Sequence, residues 1–96
     1  MAEWPDADEL KQVLDITSED WDDTVDRVLA AAIQTVREDV GIADDDYEWE
    51  PDDKVAAAAL RLGELMSLRP DAAAENRQDP TYLNYLKGRR RRFGIA

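Results

Sequence analysis

Glu19-Asp20-Trp21-Asp22-Asp23-Thr24-Val25-Asp26-Arg27-Val28-Leu29-Ala30-Ala31-Ala32-Ile33-Gln34-Thr35-Val36-Arg37-Glu38-Asp39-Val40-Gly41 places Trp21, Val25, Val28, Leu29, Ala32, Ile33, Val36 and Val40 at three- and four-residue spacings. At 100° per residue those positions form one apolar stripe, the pattern of an amphipathic helix half-sunk in a core. A helix is predicted from about Glu19 to Val40. Thr17 and Ser18 are suitable N-caps, Asp20 stands three residues after Thr17 as in a capping box, and Gly41 supplies a C-cap. Trp21, lying on the stripe, is assigned to the core.

Working outward, Asp6 and Glu9 form a second capping pair ahead of Leu10, Val13 and Leu14, which predicts a short helix at roughly residues 6–15, with Ile16 pinning it to the longer one. Downstream, Asp44-Asp45-Asp46-Tyr47-Glu48-Trp49-Glu50 concentrates like charge and reads as a loop. Pro51 suits the first turn of a third helix, whose apolar positions are Val55, Ala58, Ala59, Leu62, Leu65 and Met66. Its alanines leave room for a close neighbour, and Arg69-Pro70 stops it. After a polar linker from Asp71 to Gln78, Asp79-Pro80 opens a last short helix carrying Tyr82, Leu83, Tyr85 and Leu86. A dozen residues hold a helix poorly in isolation, so this segment is expected to order against a neighbouring subunit or partner. Neither strand alternation nor a solenoid repeat competes. The expected class is all-α: a small acidic bundle of about three helices over residues 1–70, then a linker and basic C-terminal arm over 71–96.

Charge divides the chain in the same way. Residues 1–53 carry 19 acidic and 3 basic side chains, while residues 54–96 carry 4 and 9, giving −16 and +5 within a net charge of −11. Such a division suits a component with two different neighbours better than it suits an enzyme. With no cysteine and no histidine among 96 residues, thiolate chemistry, the usual neutral-pH proton carrier and the commonest metal ligand are all missing. The first residues, Met1-Ala2-Glu3-Trp4-Pro5-Asp6, lack the basic and apolar regions of a signal peptide, and no apolar run reaches the ~20 residues of a membrane helix, so a soluble, intracellular chain is expected.

The carboxylates from Asp44 to Asp53 invite a test for calcium. With Asp44 as first ligand, Trp49 falls where an EF-hand loop needs glycine and Val55 where it needs glutamate, so the template fails. No phosphate-cradling glycine loop or nucleophile–base constellation is found, so no catalytic, metal or cofactor residue is assigned. Asp44, Asp45, Asp46, Glu48, Trp49 and Glu50 are instead read as a solvated acidic loop or a surface that repels DNA. Trp4 and Trp49 admit two readings, interface anchors or covers for the ends of the bundle. Arg89-Arg90-Arg91-Arg92 fits nucleic acid, an acidic protein surface or a solvated tail. The acidic body opposes DNA, and the chain itself offers an acidic surface, which favours protein contact, including a head-to-tail pairing of subunits.

Asp8-Glu9-Leu10-Lys11-Gln12-Val13-Leu14-Asp15-Ile16, then an acidic stretch, then Val28-Leu29-Ala30-Ala31-Ala32-Ile33 running to Val40-Gly41, resembles the head–tail connector (adaptor) proteins of long-tailed bacteriophages. That family shows a similar "E-L-K-x-x-L-x-I" helix, an acidic segment and a long helix with a double alanine closing in glycine. The segment from Pro51-Asp52-Asp53-Lys54-Val55-Ala56 to Leu68-Arg69 resembles the family's next helix, and Tyr82 to Arg92 its terminal helix more loosely. The acidic loop from Ala43 to Glu50 departs from the family in length. The resemblance implies a non-enzymatic virion protein without a cofactor. It would form a homo-oligomeric ring, typically of twelve copies, between the portal protein and a downstream neck or tail-completion protein. Genomic DNA would pass through the ring without sequence-specific binding, with the acidic loop of Asp44, Asp45, Asp46, Glu48, Trp49 and Glu50 facing the channel or an interface, and no membrane would be involved. On this resemblance Tyr82, Tyr85, Leu86, Arg89, Arg90, Arg91, Arg92 and Phe93 would contact the portal or a neighbouring subunit, and removing residues 79–96 would spare the bundle. Two other readings are an acidic DNA mimic that blocks a nucleic-acid enzyme and a small helical regulator of DNA.

Overall fold

The computed structural model describes residues 3–42 and 50–88. These residues form an all-α bundle with no strand among them: α1 (Ala7–Val13), a single 3-10 turn (Glu19–Trp21), α2 (Asp22–Val40), α3 (Asp53–Leu68), a one-turn α4 (Ala73–Asn76) and α5 (Pro80–Leu86).

Local chemistry sets the boundaries. At the start of α1 the Glu9 amide donates to the Asp6 carboxylate at 2.8 Å and the Asp6 amide donates to Glu9 at 3.4 Å, completing the predicted capping box. The same helix ends in a Schellman turn, with Ile16 N–H donating to the Lys11 carbonyl at 2.9 Å and Asp15 N–H to that of Gln12 at 3.2 Å. Asp15 takes the left-handed position at φ 58°, one of the few settings where a short polar side chain replaces glycine. Gly41, at φ 93°, stops α2, and the Gly41 and Ile42 amides both reach the Arg37 carbonyl, at 2.8 and 2.9 Å. Asp52 caps α3 through the Val55 amide at 2.9 Å, which places Pro51 just outside the helix rather than in its first turn.

The long helix begins later than its stripe implies. Ser18, not Thr17, is the cap, accepting from the Asp20 amide at 3.1 Å, and the backbone runs through a 3-10 turn before α2 starts. Trp21 ends that turn at φ −101°, ψ 1°, outside helical geometry, and its side chain is 54% exposed. The assignment of Trp21 to the core is therefore corrected: its spacing from Val25 fits the stripe only if the helix is continuous. Val13, at the end of α1, is also largely exposed.

Packing centres on α3, which meets α1, α2, α4 and α5. One part of the core joins Ala32, Val36, Val40 and Ile42 to Val55, Ala58, Ala59, Leu62, Tyr82 and Leu86, and a second gathers Leu10, Val25 and Leu29. Gly63 lies where three helices converge. A methyl group built there would stand 3.2 Å from Leu10 Cδ2 and 3.8 Å from the Ala32 Cβ, so the missing side chain is what seats the fully buried Leu10.

The expected arm is also corrected. Residue 70 does not bound the bundle, because α5 packs along α3 with Tyr82 and Leu86 at 0% exposure. Two fully buried large apolar side chains contribute roughly 1.5–3 kcal/mol each, so removing residues 79–96 is expected to cost the fold at least about 3 kcal/mol. Thermal melts followed by circular dichroism check this. At Gly63, alanine is expected to stay within about 1 kcal/mol of wild type, since better helix propensity offsets a contact with the mobile tip of Leu10. Valine should lose about 1–3 kcal/mol by overpacking, and Leu10→Ala about 2–5 kcal/mol, both measurable by urea titration.

Candidate functional site

The candidate site is built from charged groups and from the elements that hold them. The exposed sides of α1 and α2 carry Asp8, Glu9, Asp23, Asp26 and Glu38, flanked by exposed Glu3, Asp6, Asp15, Glu19 and Asp20, with Arg27 the exposed cation on α2. These positions are the polar complement of the apolar stripes, and on α2 the carboxylates alternate with exposed Thr24, Arg27, Ala30, Ala31 and Gln34.

Three ion-pair centres tie the elements together. Lys11 of α1 reaches Asp22 at the start of α2, with Nζ 2.6 Å from Oδ1, and the carboxylate raises the Lys11 pKa from its ordinary value. Arg61 of α3 forks onto Asp79, Nε to Oδ2 and Nη2 to Oδ1, both at 3.1 Å, while Nη1 donates to Glu64 at 3.0 Å. The same Asp79 carboxylate caps α5 by accepting from the Tyr82 amide at 3.1 Å. Asp39 of α2 accepts from Arg77 and, at 2.5 Å, from the Tyr82 hydroxyl. That bond satisfies the polar end of a buried ring.

The C-terminal quarter is thus held at Asp79 and Asp39 as well as by its apolar face. Asn76 adds a third tie, donating from Nδ2 to the Arg69 carbonyl at 3.0 Å; it is buried, and its Oδ1 has no partner among the described residues. The guanidinium of Arg61 holds the Asp79 carboxyl below the usual carboxylate range, with the Tyr82 amide acting in the same direction and burial opposing it. Arg77 is held above its ordinary value by Asp39.

Of the residues assigned from sequence to a portal or subunit contact, Tyr82 and Leu86 are core residues and are unavailable to a partner, and Tyr85 is partly buried against the same core. Their helical spacing, read as an outward contact face, belongs to the inward face of α5. Arg89, Arg90, Arg91, Arg92 and Phe93 lie outside the described residues, as do Asp44, Asp45, Asp46, Glu48 and Trp49. Glu50 is exposed. Trp4 is half-buried and packs against the core, consistent with a cover for the bundle. Beyond the local Arg61–Glu64 pair, the positioning roles of Arg61 and Asp39 carried no local signal, because the partners that fix α5 and Arg77 are 18, 38 and 43 residues away.

Two surface depressions accompany this framework. One, of about 480 Å³, is lined by Glu38, Asp39, Ala74, Arg77 and Gln78, so the Asp39–Arg77 pair already occupies its polar groups. The other, of about 310 Å³, has Pro5, Ala56, Ala57 and Leu60 along its floor and Glu3, Glu9 and Asp53 along its rim. Among the described residues no group of three or more acidic, cysteine or histidine side chains is placed to hold a metal ion, and no helix is long and apolar enough to cross a membrane. No family model matches the chain, and no characterised protein or solved structure matches it.

The Arg61–Asp79 pair makes a pH prediction. Because the folded Asp79 carboxyl binds its proton less tightly than the unfolded one, the pair stabilises the fold above roughly pH 4 and loses that contribution as pH falls through the lowered value. Asparagine caps a helix about as well as aspartate, so Asp79→Asn isolates the charge. The variant is expected to be about 1 kcal/mol less stable than wild type at pH 7, a discounted figure for a partly exposed pair. Its deficit should shrink toward pH 2 in urea titrations at both pH values.

Proposed function

We propose that this chain is a non-enzymatic structural subunit of a bacteriophage virion. Its role is that of a head–tail connector (adaptor), assembling as a dodecameric ring between the portal protein and a downstream neck or tail-completion protein. The observation that carries the reading is the pairing of a small helical bundle with a surface so acidic along α1 and α2. A ring of such subunits presents carboxylates to anything in its channel, and at physiological salt repulsion acts over about 8 Å. DNA phosphates within that distance are held off the wall, so the genome passes without sequence-specific binding.

The order of elements supports the same reading. The short α1, the acidic turn and the long α2 closing at Gly41 fall on the segments that carry the family resemblance, and α3 follows. The site of action is then the neck of the virion, with subunits present in the host cytoplasm during assembly. Like charge of −11 per chain opposes self-association at low salt, which suits a subunit that waits for the portal to template it.

The test is the solution mass of the purified protein across concentration and salt, alone and with a bacteriophage portal protein, together with negative-stain images of any large species. Closed rings with a central channel are expected, at the latest when the portal is present. A chain that stays monomeric in every mixture and inhibits a DNA-processing enzyme would replace this reading with the DNA-mimic one.

A further inference from the structure

We propose that the groove between the N-terminal segment, α1 and the first half of α3 receives the Arg89-Arg90-Arg91-Arg92-Phe93 segment of a second copy of this chain. The contact runs head to tail and rests on the assembly reading above. Pro5, Ala56, Ala57 and Leu60 make the floor apolar, and Glu3, Glu9 and Asp53 rim it with three carboxylates. The only run of consecutive cations in the sequence ends in its only phenylalanine, so the chain itself contains the chemical complement of the groove. Arginine side chains pair with rim carboxylates through forked, charge-assisted hydrogen bonds, and an aromatic ring covers apolar surface between them.

Further observations favour this groove over the depression beside Asp39 and Arg77. The other depression has its Asp39 carboxylate already engaged by Arg77 and Tyr82, which leaves less charge to offer a cationic segment. At the proposed groove the positive end of the α3 dipole would oppose a cation, but Asp52 caps that end and Asp53 stands in its first turn, so the local field stays negative. A closed ring needs two different surfaces on each subunit. The acidic groove and the basic segment are two such surfaces, and their pairing joins the two oppositely charged parts of the chain across a subunit boundary.

The absence of cysteine makes this testable by cross-linking in the full-length protein. Ala57→Cys is placed in one preparation and Gly94→Cys in another, and the two are mixed at about 0.15 M salt under mild oxidation. Disulfide-linked heterodimers are expected to exceed either homodimer at least threefold, and the double variant should form a covalent ladder. Glu3→Gln with Asp53→Asn should reduce the heterodimer severalfold, with circular dichroism verifying that each variant is folded. A heterodimer yield no higher than that of the homodimers, a double variant that closes only within one chain, or a yield indifferent to the rim charges would overturn the proposal. Rings seen without this cross-link would remove the docking and leave the assembly reading standing. A ladder without rings would support the docking and remove the ring.

Discussion

Four helices can share a fifth only where the shared helix is thin, and α3 is thin along much of its length. Ala56 to Ala59 and Gly63 leave its backbone open to close approach, while Val55, Leu62 and Leu65 supply the bulk that neighbours enclose. At Gly63 the spacing is tight enough that a single added carbon would press on Leu10 at 3.2 Å. Leu10 is the buried apolar anchor of the seven-residue α1, so the space left at Gly63 sets how closely α1 seats against α3. For a chain of 96 residues, which buries a modest fraction of its surface on folding, losing one helix would remove a large share of the core.

The charge pairs complete what packing begins. Helix α5 has only seven residues, too short to persist alone, yet it brings Tyr82 and Leu86 fully into the core. Asp79 performs two tasks at its start, accepting from the Tyr82 amide and from the Arg61 fork, so cap and tertiary anchor are one side chain. Asp39 does the corresponding work at the other side of the ring, binding the Tyr82 hydroxyl and Arg77. Asp39 and Asp79 are thereby used internally, as are Asp22 and Glu64 in ion pairs and Asp6, Glu9 and Asp52 in helix caps, while exposed carboxylates such as Asp8, Asp23 and Asp26 define how the surface meets its surroundings.

What was legible in the sequence follows from the range of the interactions. The Asp6–Glu9 box, the Gly41 stop and the Asp79-Pro80 opening are settled within a few residues, so residue type and spacing suffice to place them. The stripes of α2 and α3 were equally readable, because periodicity reports burial wherever the helix is regular. Trp21 was misassigned where that regularity fails, one turn before α2, since a 3-10 turn changes the direction in which each successive side chain leaves the backbone. The destination of α5 was illegible for another reason. Amphipathic spacing says that a face will be covered but not by what, and the contacts that decide it join Arg61 to Asp79 and Asp39 to Tyr82 across long separations.

That correction changes how the charge division functions. With α5 built into the bundle, the polypeptide beyond Gly88 is attached directly to a core helix rather than through a long linker. A basic segment on a short tether explores a small volume, and its effective concentration at any surface it can reach is correspondingly high. Arg89 follows Leu86, the last residue of α5, by three positions, so any contact made by the arginines would be tethered at the core rather than at the end of a linker beginning at residue 71. Specificity in such a contact comes from geometry more than from the strength of each exposed ion pair, which is small. The folded position of Tyr82 and Leu86 removes them as contact residues and sets the point, at Gly88, from which the chain leaves the bundle.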